Sequence, residues 1–232
     1  MKSPIILALD TPQLDVAKRW VDCTQESIGA YKLGLEFFLT HGSEGVKQIQ
    51  AVSDVDIFLD LKLHDIPNTV GKAALQVASL SPKFLTVHAA GGQAMIRSAV
   101  SSCPDVAITA VTVLTSLSEN DVQEIGFKGN SLESAVDLAR LAVQAGAKAI
   151  VCSPLEISAI SKVIPQHVRI ITPGVRPSDE TLNDDQNRVM TPKQAIDRGA
   201  HYVVIGRPIT RFWETGADAM RDRARTLVEE LS

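Results

Sequence analysis

Eight short apolar stretches, each followed by a segment of helical periodicity, predict an α/β fold, a single (β/α)8 barrel over residues 1–232. Two further observations agree. Glycine-alanine stands directly before a strand three times, at Gly29-Ala30, Gly146-Ala147 and Gly199-Ala200. A glycine past a helix end supplies the left-handed turn from which a strand begins, so these read as echoes of one βα unit. The chain also lacks any linker, low-complexity tract or composition break, and its length suits one large barrel. A doubly wound open sheet is the alternative, but no G-x-G-x-x-G follows the first strand to support its dinucleotide-binding form.

Residues 5–9 form the first buried strand, ending at Asp10-Thr11-Pro12, and Leu14, Ala17, Trp20 and Val21 recur at helical spacing behind it. Residues 30–33 are the second strand, and Val46, Ile49 and Val52 mark the next helix. In the third strand, 55–63, Val55, Ile57, Leu59, Leu61 and Leu63 recur every second residue, which leaves Asp60 and Lys62 together on the other face. Pro67 suits the first turn of the following helix, where its missing N–H has no partner to lose. The fourth strand is 84–88, the fifth 106–114, the sixth 149–152, the seventh 168–171 and the eighth 202–205. A well-patterned helix covers 132–145.

Hydrophobic residues make up 45% of the chain, enough for a large core, and the net charge of -4 argues against a broad nucleic-acid or acidic-membrane surface. Cys23, Cys103 and Cys152 are odd in number and far apart, without a C-x-x-C pair, so neither a disulfide framework nor a zinc site is expected. The apolar run at 5–9 is cut off by Asp10 too early for a signal peptide, and no run reaches membrane-spanning length. The expected location is the cytoplasm.

A barrel of this kind works at the carboxyl ends of its strands. There the sequence places Asp10, Lys32, Asp60, Lys62, Asp65, His88, Thr115 with Ser116, Ser153, and Gly206 with Arg207. Two aspartates and two lysines near one mouth can alternate in sign. At ~4 Å and an effective dielectric of ~20, each contact is worth roughly 4 kcal/mol before desolvation. A structural salt-bridge network without catalysis is the competing reading. Arg176, in the long polar insertion 173–192, and Arg207 follow strands seven and eight, where barrels commonly bind phosphate. The histidines show no metal-ligand spacing, and no serine or cysteine sits in a nucleophile elbow.

Taken in order, LALD (7–10), YKLGLEFF (31–38), FLDLKLHDIPNTV (58–70), VHAAGG (87–92), VTVLTS (111–116), VCSPLE (151–156), ITPGVRP (171–177), DQNRVMTP (185–192) and YVVIGRPIT (202–210) resemble the shorter bacterial orotidine 5'-phosphate decarboxylases. The resemblance implies a homodimeric barrel that converts orotidine 5'-monophosphate to uridine 5'-monophosphate and CO2 without metal or organic cofactor, the last step of de novo UMP biosynthesis. By carry-over, Lys62 protonates the carbon that loses CO2, and Asp60 lies beside the departing carboxylate. Lys32 and Asp10 contact the ribose hydroxyls. Asp65 and Thr69 reach the partner subunit's site, Thr115 and Ser116 the pyrimidine edge, and Gln186 belongs to a closing loop. Arg207 with the Gly206 backbone, and Arg176, meet the phosphate. Leu63 stands where phenylalanine is more common, an apolar exchange. Magnesium-dependent sugar-phosphate lyases share the D-x-K-x-x-D strand motif but add an acidic residue at the end of strand two, where this chain has Lys32. A non-catalytic phosphate binder is expected to have lost one of Lys32, Asp60, Lys62 and Asp65, and all four are present.

Overall fold

The computed structural model describes residues 3–181 and 190–231. Eight parallel strands close in sequence order into a barrel: β1 Ile5–Ala8, β2 Ala30–Leu33, β3 Asp56–Leu63, β4 Phe84–His88, β5 Ala107–Val111, β6 Ala149–Val151, β7 Arg169–Thr172 and β8 Tyr202–Ile205. Closure is made by β1 and β8, with Ile6 opposite Val204. Each strand alternates between two apolar layers. Ile6, Phe58, Phe84 and Ile171 fill the barrel interior, whereas Leu7, Leu33, Ile57 and Leu59 face the surrounding helices. The alternation read along β3 is therefore the outer, helix-facing set, and Phe58 and Asp60 lie on the inner side.

The helices begin where the sequence offers a start. Ser131–Gln144 is capped by Asn130, whose side chain accepts from Glu133 N–H while Glu133 reaches back to the Asn130 N–H. Pro67 opens Pro67–Ala78. Gly146 and Gly199 have φ of +99° and +110°, the left-handed turns expected ahead of β6 and β8, whereas Gly29 ahead of β2 is not left-handed and is instead required by close approach, a Cβ there colliding with the Ser3 carbonyl oxygen.

β5 is shorter than its apolar run suggests, ending at Val111 instead of residue 114. Its neighbour β6 ends level with it at Val151, and both the N–H and the hydroxyl of Thr112 then turn to the Val151 carbonyl. The apolar residues beyond, Val113 and Leu114, line the mouth of the barrel.

At the opposite end, the amino ends of β3, β4 and β8 meet in a polar floor. Lys83 Nζ donates to Asp56 Oδ2 at 2.7 Å and to the Tyr202 hydroxyl at 3.3 Å, and stands over the Phe84 ring. Burial alone depresses the Lys83 ammonium, but its bonds to Asp56 and Tyr202 more than offset this and hold its pKa above the ordinary value. Among the described residues no helix is long and apolar enough to cross a membrane.

Candidate active site

The site grows from the end of β3. Opposite Leu59 stands Leu85 of β4, but the next ladder partners are Leu63 and Val87, so β3 uses four steps where β4 uses two. The surplus forms a bulge, which re-aims side chains at a strand end. Within it Lys62 has a φ of +48°, one of two non-glycine residues with positive φ among those described. That conformation costs a lysine roughly 1–2 kcal/mol and persists only where the surroundings enforce it. The enforcing contacts are at hand. The Lys62 N–H donates to Thr86 Oγ1 at 2.8 Å, Thr86 donates to Asp60 Oδ1 at 3.0 Å, and Lys62 Nζ donates to both Asp60 oxygens at 2.9 Å.

Lys32, one strand over on β2, extends the array. Its Nζ lies 3.7 Å from Asp60 Oδ2 and 3.2 Å from Asp10 Oδ1, beyond the end of β1. The sequence Asp10, Lys32, Asp60, Lys62 is thus an unbroken line of alternating charge. Its inner members are sheltered, with Lys32 and Asp60 side chains each 13% exposed, while Asp10 is 66% exposed. In the sheltered part Coulomb attraction is strong and carboxylate and ammonium fix one another.

A cavity of about 1180 Å³ opens above this line. Thr115 after β5, Arg176 after β7, and Gly206 with Arg207 after β8 all border it. Gly206 passes close to the first strand: a Cβ there would stand 3.5 Å from Ala8 Cβ and 3.7 Å from Asp10 Oδ2. The cavity therefore has an acid-base array at β1 to β3 and guanidinium groups at β7 and β8. Ser116 is exposed and outside the lining, and Asp65 and Thr69 are exposed at the start of the helix after β3. The Asp65 carboxylate accepts the neighbouring Ile66 N–H at 2.6 Å. Gln186 lies outside the described residues.

Three groups escaped the sequence reading. Thr86 is fully buried and ties Lys62 to Asp60; its place between Phe84 and His88 on the inner face of β4 was the available signal. Glu156, 6% exposed, borders the cavity and accepts the Ser153 N–H at 2.9 Å, with burial raising its pKa. The S-x-x-E spacing of Ser153 and Glu156 announces such a turn. Arg211, one helical turn beyond Arg207, adds a third guanidinium to the lining. Cys152 borders the cavity too, but burial first and then Glu156 push its thiol far above the ordinary value, which leaves it unsuited to nucleophilic work.

A closed barrel with charged side chains gathered at the carboxyl ends of its strands defines the class, a (β/α)8-barrel enzyme. More particularly, the chain belongs to the orotidine 5'-phosphate decarboxylase / HUMPS family, whose model matches residues 3–219. It is 47% identical over 219 residues to an orotidine 5'-phosphate decarboxylase of Thermobifida fusca (strain YX), covering 94% of each chain. With one from Erythrobacter litoralis (strain HTCC2594) it shares 44% over 228 residues, 98% of this chain and 100% of the relative. The crystal structure of orotidine 5'-phosphate decarboxylase from Lactobacillus acidophilus matches with a TM-score of 0.82 at 32% identity, over 97% of this chain and 99% of that one.

Proposed function

We propose that this chain is one catalytic unit that decarboxylates orotidine 5'-monophosphate to uridine 5'-monophosphate and CO2 in the cytoplasm, closing de novo UMP synthesis. The observation that carries the reading is the alternating line Asp10, Lys32, Asp60, Lys62 facing a cavity bordered by arginines. Loss of CO2 leaves an electron pair on a pyrimidine carbon with little resonance relief. A fixed ammonium beside that carbon stabilises the charge and then delivers its proton, and Lys62 Nζ fills both roles. Asp60 holds Lys62 and sets a negative charge beside the leaving carboxylate. Lys32 and Asp10 meet the ribose hydroxyls, Thr115 and Ser116 the pyrimidine edge, and Arg176, Arg207 and the Gly206 backbone the phosphate. Gln186, outside the described residues, is included among the substrate-binding groups on the family resemblance alone. Binding energy from the phosphate helps to order the array, which ties Arg207 to turnover as well as affinity.

Asp65 and Thr69 complete the site of a second copy in a homodimer. Their support is exposure beside Ile66, which is 66% exposed although large and apolar. The reaction as proposed needs no metal or organic cofactor. A magnesium lyase of the same family is disfavoured because the Lys32 ammonium, 3.2 and 3.7 Å from Asp10 and Asp60, stands among the carboxylates a metal would use. Incubation with orotidine 5'-monophosphate is expected to change the pyrimidine absorbance at a rate unaffected by excess chelator. No change in absorbance, or activity abolished by chelator, defeats the proposal.

A further inference from the structure

Thr86 has no direct part in the chemistry just described, yet it joins the two residues nearest to it. A threonine hydroxyl has one proton to donate and lone pairs to accept with. Here the proton goes to Asp60 Oδ1, and a lone pair receives the backbone N–H of Lys62. With Lys62 Nζ bonded to both Asp60 oxygens, the three residues close a ring. The bulge explains why such a ring is required. Between the Leu59–Leu85 and Leu63–Val87 partners the regular ladder is interrupted, so the Lys62 N–H takes a side-chain acceptor. It does so at a φ that lysine rarely adopts.

We propose that Thr86 is the positioning residue of this site: its hydroxyl stands in for the missing ladder bond and orients the Asp60 carboxylate, which together hold Lys62 Nζ in the cavity. The proposal rests on the decarboxylase reading above. Thr86 is fully buried, so no water competes for the hydroxyl. Misplacement of a reacting group by about an ångström typically costs about a hundredfold in rate.

The test compares Thr86→Val, which keeps the shape and removes the hydroxyl, with Thr86→Ser, which keeps the hydroxyl and removes a methyl. In Thr86→Val, kcat for orotidine 5'-monophosphate is expected to fall roughly ten- to a hundredfold, with the dissociation constant of uridine 5'-monophosphate changing less than about threefold. Thr86→Ser is expected to recover most of kcat. A packing role alone gives the reverse order, with valine active and serine the weaker. The proposal is overturned if folded Thr86→Val turns over within about twofold of the parent, or if Thr86→Ser is no faster than Thr86→Val. Circular dichroism establishes folding, and if Thr86→Val does not fold, Thr86→Ala takes its place in the same comparison. A parent without decarboxylase activity defeats the functional reading itself, whereas an active parent with an equally active valine variant defeats the role of Thr86 alone.

Discussion

Lys62 meets two demands that a regular strand could not satisfy together. Its ammonium must stay paired with Asp60, and it must also stand clear in the cavity; the bulge and the left-handed backbone reconcile them. Truncation shows what depends on the ammonium. Lys62→Ala is expected to abolish measurable turnover while uridine 5'-monophosphate still binds, as read by calorimetry; near-normal turnover in that variant would remove the proposed acid. Two histidines give the protein a pH dependence of a different origin. Burial first, then His64 and Lys62, lower the pKa of His88, with Asp60 opposing them. Burial and then Arg169 lower that of His201, whose Nδ1 accepts the Ile170 N–H at 3.1 Å. A folded-state value below the unfolded 6.5 means that the unfolded chain takes up protons first, so this stability is complete above pH 6.5 and is lost as pH falls below it. The melting temperature is expected to drop between about pH 7 and about pH 5, and less steeply in His201→Gln.

At the scale of elements, the floor of the barrel offers a test separate from the mouth. Lys83→Met is expected to lower unfolding free energy by about 1–2 kcal/mol in urea titration, with kcat retained, because it removes the bonds to Asp56 and Tyr202 far from the cavity. The raised pKa of Lys83 places loss of this contribution above its ordinary 10.5, so the difference between parent and variant persists at neutral pH and fades in strong alkali. The elements themselves were largely legible, since strands buried on both faces and helices with capping residues leave strong patterns. What was not legible depends on neighbours. The end of β5 is set by where β6 stops, and nothing in VTVLTS marks that position. The leucines at 59, 61 and 63 keep their two-residue period straight through the bulge, so the shift against β4 is invisible until the partner strand is known. For the same reason Asp60 and Lys62 could be placed on one face from sequence, while Thr86, an ordinary strand-forming residue, could not be connected to them.

At the scale of the whole molecule, the charged line and the arginines border one cavity, but Asp65 and Thr69 are exposed and outside its lining. If each site is completed by a second copy, inactive Asp60→Ala and Asp65→Ala chains mixed under conditions of subunit exchange are expected to regain up to about a quarter of parental activity, from the one undamaged site that each hybrid dimer reconstitutes. No recovery in verified hybrids counts against the shared site. The polar floor made by Lys83, Asp56 and Tyr202 also has a practical meaning. The bonds of the floor and the proposed site lie at opposite ends of the same strands, so a thermally hardened form can be sought by strengthening the floor without touching the mouth. The usual conflict between rigidity and turnover is then confined to β3, β4 and β8, the strands that carry groups at both ends.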